Sequence, residues 1–131
     1  MNTPKPLGKV NSYRDLVVWQ KSRSLATEAY RLCMSSSFER HRGLSDQIMR
    51  SAVSIPSNIA EGDERGTNKD ALRFLLIARG SLAELETQLS IAEAIGIIPQ
   101  PLVGKMTAQL DEVARLLGGT IKMRKILSLI H

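Results

Sequence analysis

The sequence predicts an all-α fold: an up-down-up-down four-helix bundle over residues 13–131, one domain behind a flexible basic arm at residues 1–12. Three observations predict it. Apolar residues recur at alternating steps of three and four along four separate stretches, the period of one helix face. Short segments rich in Ser, Gly and Pro separate the stretches, so consecutive helices must run antiparallel. Aromatic residues are only 4% of the 131, a poor supply for a β-sandwich, and no strand signal competes. A chain of this length buries one modest core and has no room for a second catalytic domain.

Pro4, Lys5, Pro6, Gly8 and Lys9 precede any apolar periodicity, which is the composition of an arm. Ser12 with Asp15 is a capping-box signal for a first helix over about Tyr13 to Met34, along the stripe Val18, Ser22, Leu25, Ala29 and Leu32. A turn-rich segment from Ser35 to Gly43 leads to a second helix, about Arg42 to Glu64, with the stripe Leu44, Ile48, Ala52, Ile55 and Ile59. Pro56 lies inside it, removes one backbone donor and predicts a kink between Ala52 and Pro56. Thr67 with Asp70 opens a third helix, about Asn68 to Ile95, along Leu75, Ala78, Leu82, Leu85, Leu89 and Ala92, and Gly96 caps it. After Pro99 and Pro101 a fourth helix runs from about Leu102 toward Leu127, along Val103, Met106, Leu110, Val113, Leu117 and Thr120. An irregularity is expected at Gly118-Gly119.

Cys33 is the single cysteine, which excludes an intrachain disulfide framework and any Cys-x-x-Cys site and fits a reducing compartment. Met1 to Lys9 lacks the apolar core of a signal peptide, and no run approaches the roughly 18 apolar residues of a membrane helix. A cytoplasmic protein that does not enter a membrane is expected. Lys and Arg number 18 against 13 Asp and Glu, with an isoelectric point near 9.7, which permits an anionic partner without requiring one.

In the predicted topology the start of helix one, the end of helix two, the start of helix three and the end of helix four share one end, the lower end. Successive helical residues point about 100° apart, so four consecutive apolar residues cannot all face one core. Such runs are Leu16-Val17-Val18-Trp19 and Phe74-Leu75-Leu76-Ile77, and the tail Ile126-Leu127-Ser128-Leu129-Ile130 is also apolar. All three map to the lower half. A subunit interface is therefore expected at Leu16, Val17, Trp19, Phe74, Leu76, Ile77, Ile126, Leu129 and Ile130; a thick local core or a greasy tail is the plain alternative.

Positive charge gathers at the same end, where Lys122, Arg124 and Lys125 approach the arm. With Lys5, Lys9, Arg14 and Lys21 these form a candidate phosphate-binding surface for RNA or DNA. A solvated face accounts for the same charges, as does pairing with the acidic turn Glu61, Asp63 and Glu64 of another subunit. The aromatics Tyr13, Trp19, Tyr30, Phe38 and Phe74 are spaced for packing and form no base-stacking surface.

Little in the sequence supports catalysis. His41 lies in a turn and His131 at the terminus, neither well placed as the base of a nucleophilic triad. Glu61 is followed three residues on by Glu64, and Glu84 by Thr87, so the Glu-x-x-His pattern of a bundle metal site is missing. No catalytic residue, metal or cofactor is expected. The glycine-bearing piece Glu61 to Gly66 lacks the Lys-Ser/Thr ending of a P-loop and follows a helix. A polar seam of Gln47, Ser51, Ser54, Asn58 and Glu61 runs along helix two. An enzyme site along Ser54, Asn58, Glu61 and Ser81 is the third hypothesis; satisfying the backbone opened by Pro56, or facing another subunit, is the stronger reading of the seam. Gly80-Ser81 in mid-helix points to close helix approach.

The runs Asp15-Leu16-Val17-Val18-Trp19-Gln20-Lys21, Ser54-Ile55-Pro56-Ser57-Asn58-Ile59-Ala60-Glu61-Gly62 and Phe74-Leu75-Leu76-Ile77-Ala78-Arg79-Gly80-Ser81-Leu82-Ala83-Glu84-Leu85-Glu86 resemble the four-helix-bundle family called 23S rRNA-intervening sequence proteins. The resemblance extends from about Tyr13 to Leu117. It implies a cytosolic bacterial protein that assembles as a ring-like homopentamer, with no biochemical activity established for most members. A related accessory protein of diversity-generating retroelements works with a reverse transcriptase and nucleic acid, so RNA, DNA or another protein is the further partner implied. The chain departs from the pattern at Glu39, where many relatives have proline, and at Met49-Arg50, where paired arginines are frequent, which thins the positive charge of helix two. Within the matching block, Ile55, Pro56, Asn58, Ile59, Glu61 and Gly62 are expected to be structural: Pro56 bends the helix, and the Asn58 amide, with Glu61, bridges backbone and neighbouring-helix groups.

Overall fold

Each apolar stripe becomes the buried face of a helix. The computed structural model describes residues 12–130 and contains α1 (Val17–Cys33), α2 (Arg42–Glu64), α3 (Asn68–Ala94) and α4 (Gln100–Ile130), with no strand among the described residues. α1 packs on α2, α2 on α3, α3 on α4 and α4 back on α1, the cyclic order of an up-down-up-down bundle. Leu25, Ile48, Ile55, Leu85, Val113 and Leu117 are among the side chains fully removed from water, and Phe38, on a 3-10 turn at Ser36–Phe38, joins the same core. Burying each such side chain is worth about 1.5–3 kcal/mol. No helix among the described residues is long and apolar enough to cross a membrane.

The first helix begins later than expected. The Ser12 hydroxyl accepts from the Arg14 N–H at 3.2 Å, but what it caps is a single 3-10 turn at Tyr13–Asp15. The chain then extends at Leu16, and α1 starts at Val17. Packing explains the break. Tyr13 and Trp19 meet edge to face with ring centroids 5.2 Å apart, yet on one continuous helix residues six apart point about 240° away from each other. The Gln20 side chain donates to the Arg14 carbonyl at 2.8 Å and secures the joint. Ser12 itself, the last residue of the expected arm, is buried.

The other boundaries follow their caps. α2 runs through Pro56 without interruption. The Thr67 hydroxyl accepts from the Asp70 N–H at 3.1 Å to open α3. Gly96, at φ +80°, closes α3: its N–H donates to Glu93 and that of Ile97 donates to Ala92, a Schellman arrangement. α4 begins at Gln100, with Pro101 in its first turn, and passes Gly118-Gly119 unbroken, because Leu117 and Ile121 on either side are anchored in the core. At 31 residues α4 is about 46 Å long, against about 25 Å for the 17 residues of α1. The lower end of α4 is therefore poorly covered.

Candidate functional site

At the lower end the turn between α2 and α3 is locked by three contacts. At Gly62 α2 runs close against α3, and a Cβ there would sit 2.7 Å from the Phe74 Cβ and 3.2 Å from the Ala71 Cα. Phe74 is held between the guanidinium groups of Arg65 and Arg73, at 4.9 and 4.7 Å from its ring centre. From α4, Arg124 donates to Asn68 at 2.8 Å and to Asp63 at 3.2 Å, tying the end of one helix to both sides of the turn.

Three sequence expectations are corrected here. Phe74 is not an interface residue: it is 7% exposed and packed within the chain, since at position 74 the α3 wheel turns toward α2, where Gly62 leaves room for the ring. Arg124 is not a free phosphate ligand, because its charge is used on Asp63 of the same chain. That pairing also takes up one of the acidic residues expected to meet another subunit. Glu61 takes no part in bridging helices; it is exposed and pairs with Arg65 at 3.1 Å.

The polar seam of α2 faces α3. Asn58 donates to the Ser54 carbonyl at 2.8 Å and to the Ser54 hydroxyl at 2.9 Å, and the Ser54 hydroxyl meets that of Ser81 on α3 at 2.8 Å. Just under one turn toward the upper end of α2, Ser51 donates to Gln88 Oε1 at 2.7 Å. The amide thus supports the Ser54 carbonyl, not the Ala52 carbonyl that Pro56 leaves without a helical donor. Ile55 and Ile59 point into the core. Gln47, Arg50, Ser51, Ser54, Glu84 and Gln88 line an outer groove of about 420 Å³, which excludes Asn58, Glu61 and Ser81. Of the four residues of the candidate enzyme site, Ser54, Asn58 and Ser81 meet in one hydrogen-bonded cluster, while Glu61 is exposed and pairs with Arg65.

The remaining expected interface residues divide. Leu16 and Trp19 are half-buried against the core. Val17, Leu76, Ile77, Ile126, Leu129 and Ile130 are exposed, and Met123, which sequence reasoning missed, joins them. Leu76 and Ile77 are adjacent in α3 and so project about 100° apart, toward different faces. The contiguous apolar part is the α4 tail, where Leu129 is 87% exposed.

The basic surface is redistributed. Lys5 and Lys9 lie outside the described residues. Arg14 covers the rings of Tyr13 and Trp19, at 5.8 and 5.5 Å, and Lys21 pairs with Glu112 on α4 at 3.8 Å. Lys122 and Lys125 remain exposed. The Arg124–Asn68 bond sets the register of α4 against α3 and brings them onto one outer face with Lys69, Arg79 and Arg115, three cations the sequence reading did not select. None of the five makes an ion pair among the described residues. The signal that finds these three is antiparallel register, which the sequence shows only once a contact between α3 and α4 is known.

Cys33 is half-buried and donates to the Ser45 carbonyl at 3.7 Å; burial pushes its thiol above the usual range, the Ser45 side chain opposes the rise and the Asp46 carboxylate adds to it. Among the described residues no group of three or more His, Cys, Asp or Glu is arranged to hold a metal ion.

Fold and surfaces together define a protein of the antiparallel four-helix-bundle class, with its close-packed motif at one end and charge sorted along one face. The chain belongs to the 23S rRNA-intervening sequence protein family, whose sequence pattern matches residues 14–119. It is similar to a crystallised protein of unknown function from the S23 ribosomal protein family of Bacteroides thetaiotaomicron, with 28% identity and a TM-score of 0.72 over 81% of this chain and 99% of that one. No functionally curated protein matches the chain. The family and this structural neighbour are of unestablished function.

Proposed function

We propose that the chain is a non-enzymatic cytoplasmic scaffold that works as a homo-oligomer assembled through its lower end. The observation that carries this reading is the α4 tail: Ile126, Leu129 and Ile130 are all more than half exposed, with Met123 beside them. Leaving such a patch in water is unfavourable by about 25 cal/mol per Å² of apolar surface, and a partner copy relieves it. Five subunits in a ring is the number the family resemblance implies. Native mass spectrometry of the full chain tests the reading. A stable monomer at micromolar concentration overturns it, and Leu129→Glu is expected to disperse the assembly with helicity intact.

The second reading is contact with the phosphates of RNA or DNA, favoured by the five cations of the α3/α4 face and by a family name that refers to 23S rRNA. Titration of labelled single- and double-stranded RNA and DNA at low salt tests it. Binding is expected to weaken steeply with salt and to show little sequence preference; absence of binding at low salt eliminates it.

A further inference from the structure

The outer α3/α4 face sorts its charges by height. Lys69, Arg79, Arg115, Lys122 and Lys125 occupy the lower half, and Glu86, Glu93 and Asp111 the upper half; all eight are exposed, and none makes an ion pair among the described residues. The three carboxylates rim a cavity of about 190 Å³ whose apolar lining includes Leu89, Met106 and Leu110. A face with opposite charges at its two ends repels a parallel copy of itself and complements an antiparallel one.

The positions match as well. On α3, Lys69 and Arg79 lie toward the lower end and Glu86 and Glu93 toward the upper; on α4, Arg115 lies one turn below Asp111. Turning a second copy end over end lays α3 on that copy's α3 and α4 on its α4. This sets Arg79 and Lys69 against its Glu86 and Glu93 and Arg115 against its Asp111, and two-fold symmetry makes each pair twice. Between the charged halves the surface is small, with Ala83 and Ala114 exposed, and inside the basic half Gly118 is exposed too, where a Cβ would meet nothing within 4 Å. That floor lets another helix approach closely. The apolar lining of the cavity accepts the aliphatic stem of an incoming basic side chain while its charged head reaches the carboxylates.

We propose that the α3/α4 face is a two-fold, charge-held docking surface for a second copy of this chain. The acidic upper half disfavours a nucleic acid lying along the same face, which is why a second copy is the better occupant. This inference goes beyond the scaffold reading: it stands on charge, and it holds whether or not the α4 tail forms a ring.

Sedimentation of the full chain at low and high salt, alone and as charge-reversed variants, tests it. The wild type is expected to double its particle mass at low salt only, because exposed ion pairs are screened. R79E/R115E/K122E makes the face predominantly negative and E86K/E93K/D111K makes it wholly positive, so each alone loses at least about tenfold in low-salt association. Their equimolar mixture regains it. Circular dichroism checks that both variants are helical, which their exposed positions favour. Doubling that persists in either variant alone, no pairing in the mixture of folded variants, or a wild-type mass independent of salt overturns the proposal. So does RNA binding lost in R79E/R115E/K122E without any wild-type doubling. Leu129→Glu separates the two readings, since it is expected to remove the tail contact and leave the low-salt doubling in place.

Discussion

A methyl group at Gly62 would fall 2.7 Å from the Cβ of Phe74, a separation that side-chain atoms do not adopt, so α2 and α3 approach as they do only because position 62 carries no side chain. The obstruction is a Cβ and the Ala71 backbone, neither of which can swing aside. Gly62→Ala is expected to lower stability by about 1–3 kcal/mol, read as a fall in the thermal midpoint. Gly118→Ala is the control: with open space around it, this change at high salt is expected to raise stability by up to about 1 kcal/mol through helix propensity. Equal effects of the two substitutions would refute the close-approach account.

Arg124 and Lys122 are two residues apart with opposite roles. Arg124→Ala strands the half-buried Asp63 and Asn68 and is expected to cost about 1–3 kcal/mol, with faster amide exchange from residue 125 onward. Lys122→Ala is expected to stay within about 0.5 kcal/mol of wild type, as an exposed side chain with no ion pair among the described residues does. Chemical denaturation of both variants decides it.

The Asn58, Ser54 and Ser81 network predicts non-additive losses. Asn58→Leu removes two hydrogen bonds, and Ser81→Ala removes one from the hydroxyl that Asn58 also uses. Each is expected to cost about 1 kcal/mol, and the double variant to cost less than the sum of the two. Strict additivity in a double-mutant cycle would show that the groups act separately.

Burial raises the Cys33 thiol, so the folded protein keeps it protonated where the unfolded chain begins to ionise. Stability is therefore expected to fall as pH climbs through the ordinary thiol range toward the higher folded value, and Cys33→Ser is expected to remove that slope. Alkylation at neutral pH should be slow compared with a free thiol peptide.

The four helices and most of their buried positions were legible in the sequence, because a stripe at steps of three and four has one stable use, which is to face a core. The Ile55 to Gly62 block was legible as a motif, but the contacts it makes were not. The bulk of Phe74 and the absence of bulk at Gly62 matter only after α2 and α3 are laid side by side. The same holds for charge. The sequence shows how many basic residues there are and on which helix each lies. Whether Arg124 is spent on Asp63, and whether Arg79 stands with Arg115, depends on antiparallel register, which brings residues tens of positions apart within bonding distance. Local periodicity determines which face a residue occupies. Tertiary packing decides what stands opposite it, because contact energies fall off within a few ångströms and the chain sets no such distance until it has folded.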